Sequence, residues 1–139
     1  MLTLLNQSQI RMPRVWIGKV FKFLQKERKI SSELTVVFLD PPAARRLNRQ
    51  YRKKDYATDV LSFSSDFPGE LGELILCPKV LQRQAKEKGL SFRAELAYML
   101  IHGVLHLQGL DHEKSKLDAE RMFKIQDQLF DRLCAKFDI

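Results

Sequence analysis

The sequence predicts an α+β fold in one domain: a small mixed four-stranded sheet with helices packed on it and a central buried helix. Three observations carry this. Runs of β-branched, strand-like composition and runs of helical periodicity follow one another in the order β-α-β-α-β-β-α-α-α. Two of the strands are joined by a loop containing Pro68-Gly69, as in a hairpin. The segment FRAELAYMLIHGVLHLQ, residues 92–108, is apolar on nearly every face between Leu96 and Leu107, as only an enclosed helix can be. No repeat, low-complexity tract or Ser/Gly-rich linker divides residues 1–139, a length that suits one core.

Residues 2–5 read as a short first strand, and residues 13–29 as a helix with Trp16, Val20, Phe23 and Leu24 on one side. ELTVVFL, residues 33–39, is a β-branched strand stopped by Asp40-Pro41-Pro42, and a short helix follows to about Arg52. Strands are expected at 60–66 and 72–77. Pro78 suits the first turn of a helix ending at Gly89, and Ser91 is an N-cap for the apolar helix. A last helix over 116–136 places Ile125, Leu129 and Leu133 on one stripe.

Apolar residues at 45% and charged residues at 29% are ordinary for a folded globular chain. The formal net charge of +7 favours a polyanionic partner such as nucleic acid. The first ten residues lack a basic segment followed by a long apolar one, and no apolar run approaches the ~20 residues of a membrane span, so a cytoplasmic protein without a membrane partner is expected. Cys77 and Cys134 lie far apart without CxxC spacing, consistent with reduced thiols serving as small hydrophobes.

The chemistry concentrates in LIHGVLHLQGLDHEKS, residues 100–115, which holds all three histidines of the chain. His102 and His106 are four apart, one turn above each other on one helix face. Gly109 falls where a helix needs a left-handed residue, so the chain can turn back and bring His112 to the other two. Random placement would cluster three histidines this tightly only about 1–2% of the time, and unpaired imidazoles in so apolar a helix would be costly. Three imidazoles with a fourth position open describe a catalytic rather than a closed structural site, with zinc expected and nickel, copper or iron also suited to imidazole. The spacing H-x-x-x-H-x-x-G-x-x-H is shared with metzincin proteases, whose general-base glutamate follows the first histidine. Here that position is Gly103, so proteolysis lacks its base.

HGVLHLQGLDH closely resembles the HGxLHLxGxDH signature of the YbeY family of bacterial single-strand-directed endoribonucleases. LNRQYRKKDYATDVLSFSSD resembles that family's LN-x-x-YR-x-x-D-x-PTDVLSFP block, and GELGELILCP resembles the strand that follows it. Together the blocks span about half the chain in family order. Ala57 and Ser64 stand where prolines are common, and Glu73 where aspartate is usual. The resemblance implies one zinc per chain on His102, His106 and His112, with His102 and Arg52 in catalysis. It further implies action on ribosomal RNA, at the 3′ end of 16S rRNA and in ribosome quality control, with single-stranded RNA, the small ribosomal subunit and assembly proteins as partners.

The basic residues fit that expectation. Arg45, Arg49 and Arg52 share one face of the short helix, opposite Leu47 and Tyr51, and Lys53 and Lys54 extend it. Arg45, Arg49 and Lys53 are therefore candidate RNA contacts. Lys19, Lys22, Lys26 and Lys29 form a second stripe, which a merely solvated face explains equally well. Arg52 is singled out only by the resemblance, although a guanidinium fork suits the charge of a phosphoryl transition state. Thr58 and Asp59 suit a turn before the strand, and Asp111 either orients an imidazole or holds its own loop. The competing expectation is a ribosome-associated assembly factor with a structural metal that binds RNA without cutting it. Hydrolysis of a small phosphoester or amide is a third.

Overall fold

The computed structural model describes all residues, Met1–Ile139. Strands β1 (Leu2–Asn6), β2 (Glu33–Phe38), β3 (Val60–Ser64) and β4 (Glu70–Leu76) form one mixed sheet in the order β1-β2-β4-β3. β1, β2 and β4 run parallel, and β3 returns antiparallel along β4 as the outer strand of a hairpin, with Ser62 opposite Leu74. The helices are α1 (Arg14–Arg28), α2 (Pro41–Arg52), α3 (Pro78–Lys88), α4 (Phe92–Leu107) and α5 (Lys116–Phe137). Both the element order and the fold class are those read from the sequence. No helix is long and apolar enough to cross a membrane.

Strand alternation divides the core between the two faces of the sheet. Leu34, Val36 and Phe38 of β2 and Leu74 and Leu76 of β4 enter a large cluster with α1, α4 and α5. Val37, Ile75 and Leu61 point the other way, into a smaller cluster with Ala44 of α2. Buried Cys77 belongs to this second cluster, and both cysteines are free thiols.

The α2 helix packs by residues that its apolar side chains do not mark. Ala44 and Asn48 are its buried residues, whereas Tyr51 is 56% exposed and meets Phe63 edge-on at 5.2 Å. Small side chains let the helix sit close to the sheet, and the buried Asn48 amide is satisfied by donating to the Tyr56 carbonyl at 2.8 Å. An apolar-stripe reading cannot anticipate a buried asparagine whose partner lies in a loop.

Twelve of the 16 residues of α4 are buried. Ser91 caps its start, accepting from the Ala94 N–H at 3.1 Å. Two glycines set its distance from the sheet. A Cβ on Gly103 would lie 2.7 Å from Leu74 Cδ2, and one on Gly72 would lie 2.8 Å from Leu107 Cδ2, so α4 runs antiparallel to β4 in close contact. The adjoining helix face, with His102 and His106, opens past the edge strand β3.

Candidate metal centre

The exit of α4 is built as the histidine spacing requires. Gly109 has φ +96, and the chain reverses through two hydrogen bonds, Gly109 N–H to the His106 carbonyl at 3.0 Å and Leu110 N–H to the Leu105 carbonyl at 3.1 Å. His112 is thereby carried back over the helix. The side chain of Asp111 accepts from the Glu113 N–H at 2.8 Å, so it holds the turn. Of the two roles the sequence left open for Asp111, this is the one with a contact.

His102, His106 and His112 form one group whose ligand nitrogens all lie within 4.8 Å of one another. His106 Nε2 and His112 Nδ1 face each other at 2.9 Å. His102 Nδ1 is 2.9 Å from Gln126 Oε1, an atom that only accepts, so Nδ1 carries the proton and the Nε2 lone pair is left for a ligand. Phe123 of α5 stacks on the His102 ring at 6.0 Å and closes one side. Burial pushes the His102 imidazole below its ordinary pKa against the opposing hydrogen bond to Gln126. His106 is lowered too, first by burial and then by its two histidine neighbours. Both rings are therefore held as neutral nitrogen donors near pH 7. An all-imidazole donor set of this kind suits a borderline divalent cation, so the three residues fit a bound metal ion.

The histidines line a cleft of about 430 Å³ between α4, β3 and the loop after α2. Arg52 and Lys54 also line it, as do Thr58, Asp59 and Lys88. Arg45, Arg49 and Lys53, expected from the sequence to contact RNA, do not. Asp55 explains two of these. It accepts from Arg45 Nε at 2.8 Å and Nη2 at 2.9 Å, and lies 3.8 Å from Arg49 Nη1, whereas Arg52 and Lys54 make no salt bridge. Asp59 caps the entry to β3, accepting from the Val60 N–H at 2.7 Å, the Thr58 hydroxyl at 3.2 Å and Gln84 Nε2 at 3.2 Å.

Sequence reasoning missed Gln126. It occupies the centre of the α5 stripe formed by Met122, Leu129 and Leu133, fully buried, while Ile125 is only partly so. The signal was present as a polar residue at helical spacing within an apolar stripe. Also missed was Glu95, a wholly buried carboxylate two turns before His102 on α4.

The family model described as Endoribonuclease YbeY matches residues 5–134. A relative from Bdellovibrio bacteriovorus, named Endoribonuclease YbeY, is 49% identical over 96% of this chain and 95% of its own. Another of that name, from Persephonella marina, is 37% identical over 85% of this chain and 81% of its own. A solution structure of a Thermotoga maritima protein shares the fold, with a TM-score of 0.71 at 26% identity over 99% of this chain and 92% of that one. With the match running from β1 into the last turn of α5 and taking in every histidine, the chain belongs to the YbeY endoribonuclease family.

Proposed function

We propose that this protein is a zinc-dependent, single-strand-specific endoribonuclease of the cytoplasm, acting in maturation of the 3′ end of 16S rRNA and in ribosome quality control. The observation that carries the reading is the convergence of three imidazoles and an arginine without a carboxylate partner in one cleft. The relatives' name, Endoribonuclease YbeY, supports the RNA substrate. The small ribosomal subunit and its assembly proteins are the partners this role implies.

His102, His106 and His112 would hold the zinc. When bound, the ion supplies Lewis-acid polarisation of a phosphoryl oxygen and activation of water near neutral pH. The chain's own contribution begins with burial, which keeps the His102 and His106 lone pairs free of protons. Gln126 and Phe123 fix the His102 ring in position. Arg52 brings a fork of N–H donors to the phosphate oxygens, where it stabilises the extra negative charge that develops as the phosphodiester is attacked. Gly103 supplies no general base, so no side chain at that position takes the proton of the attacking group, whether that group is water or the RNA 2′-hydroxyl.

The reading is tested by metal analysis of the purified protein alongside cleavage of a single-stranded RNA, with His106→Ala prepared in parallel. One zinc per chain, and cutting that the variant loses, is the expected result. Equal cutting by both preparations identifies a contaminating nuclease and favours the assembly-factor reading. Products ending in a cyclic phosphate would assign the nucleophile to the 2′-hydroxyl.

A further inference from the structure

Beside Arg52 and Lys54 the cleft is lined by a third cation, and this one is held in place by partners of its own. Lys88, the last residue of α3, places its ammonium 2.9 Å from Glu95 Oε1 on α4. The two partners differ sharply in exposure, 43% for the lysine side chain and 0% for the glutamate. The ammonium also lies 4.9 Å from the centroid of the Tyr98 ring, and both Lys88 and Tyr98 line the cleft that holds the histidines.

A carboxylate taken wholly out of water is expensive, and Glu95 Oε2 finds no hydrogen-bond partner in the protein. Such a pair is a poor device for stability alone. The pair is instead asymmetric, with the carboxylate fully buried, the ammonium part-exposed and the Tyr98 ring within 4.9 Å of it. An ammonium has three N–H donors. One goes to Glu95, and Lys88 makes no second hydrogen bond within the protein, so the remaining donors are free for a ligand in the cleft that the residue lines. Held at two points, the lysine loses less side-chain freedom on meeting a ligand than a free surface lysine would.

Building on the reading of the cleft as an RNA site, we propose that Lys88, positioned by Glu95 and Tyr98, is a second phosphate-binding residue. It takes a phosphodiester neighbouring the one presented to the histidines. Arg52 from α2 and Lys88 from α3 then hold the strand at two phosphates and fix which bond lies at the metal centre. Lysine suits a holding contact because it acts as a point charge, whereas the arginine fork suits the reacting phosphate.

The test uses the full-length chain in the His106→Ala background, which leaves the RNA uncut, and a short single-stranded RNA followed by fluorescence anisotropy. Removing Lys88 alone would strand a buried carboxylate, so the pair is neutralised together as Lys88→Gln with Glu95→Gln, and thermal melts confirm folding. Binding should weaken about tenfold, with the log–log salt slope shallower by ~0.7 for the lost phosphate contact. RNAs carrying one neutral methylphosphonate, moved a position at a time, should reveal one position where the two proteins bind equally well. Equal affinity for unmodified RNA, or a loss that is the same at every methylphosphonate position, overturns the assignment. Absence of RNA binding by the Lys88-containing protein itself overturns the RNA reading on which it rests.

Discussion

Gln126 Oε1 receives the His102 Nδ1 proton at 2.9 Å, and the glutamine is completely buried. The bond selects the tautomer whose Nε2 lone pair faces His106 and His112. Replacing the glutamine by leucine leaves Nδ1–H without its acceptor and frees the ring to adopt the other tautomer. Partners of this kind are worth about 10–100-fold in metal affinity. Gln126→Leu should therefore weaken zinc binding by that factor in a chelator competition, while Gln126→Glu, which keeps an acceptor, should retain most of it. Equal affinity in all three proteins would make Gln126 a packing residue only.

Gly103 is where this chain departs from the protease pattern, and the reason is steric as well as chemical. Its missing Cβ would stand 2.7 Å from Leu74 Cδ2, and Leu74 is fully buried. Gly103→Ala should destabilise the fold by about 1–3 kcal/mol in urea titrations, as overpacking of a filled core does. Gly103→Glu should do so more severely and bring no peptidase activity. Stability equal to the parent protein in Gly103→Ala would show that Leu74 yields freely.

Much of this arrangement was legible in the residues before any coordinate. The helix 92–108 announced its burial by being apolar all round, and His102, His106, Gly109 and His112 announced a three-imidazole cluster able to hold a metal ion, because helical geometry converts their spacing into proximity. Arg52 could be distinguished from Arg45 and Arg49 only by family resemblance, since the discriminating contact is with Asp55 across a loop. Gln126 stood out only as a polar residue on an apolar stripe, and what it and Glu95 bind was hidden for a related reason. Their partners come from other helices, and pairing between elements leaves no periodic trace.

The pH dependence of the metal-free protein follows from the lowered histidines. His102 and His106 titrate below the ordinary histidine value when folded, mainly through burial. The unfolded chain thus binds more protons as pH falls through ~6.5. The neutral rings contribute stability that is fully present above about pH 6.5 and lost as pH falls towards their folded pKa values. Chelator-treated protein should melt at lower temperature at pH 5.5 than at pH 7.5, and zinc affinity should fall over the same interval because protons compete for the same nitrogens. A flat melting profile between these pH values would contradict the assignment of these rings as neutral when folded.

For Arg52 the expected signature is kinetic. It lines the cleft without a carboxylate partner, so its guanidinium is free for substrate. Arg52→Ala should lower kcat by about 10²–10³, the usual cost of one donor to developing charge, with a smaller change in RNA affinity. Arg52→Lys should recover binding better than turnover, because an ammonium replaces the charge and not the two-pronged geometry. Full recovery of kcat by lysine would reduce Arg52 to a general electrostatic contact.

Asp55 offers a test of how the basic face of α2 is restrained. Its carboxylate is drawn below the usual range by the hydrogen bond from Arg45, and it holds Arg49 more loosely at 3.8 Å. Both arginines are on turns preceding Arg52, so a strand leaving the cleft past Arg52 would next meet Arg49. Asp55→Asn removes the competing anion and should free one or both guanidiniums for phosphate. RNA affinity at low salt should rise, and the log–log salt slope should steepen by ~0.7 for each additional contact. Arg45→Ala with Arg49→Ala in the parent protein should change that slope less than Lys54→Ala does, because Lys54 lines the cleft and the two arginines are already engaged. The opposite ranking would mean that RNA displaces Asp55 on its own, and that the sequence reading of Arg45 and Arg49 as contacts holds despite the ion pair.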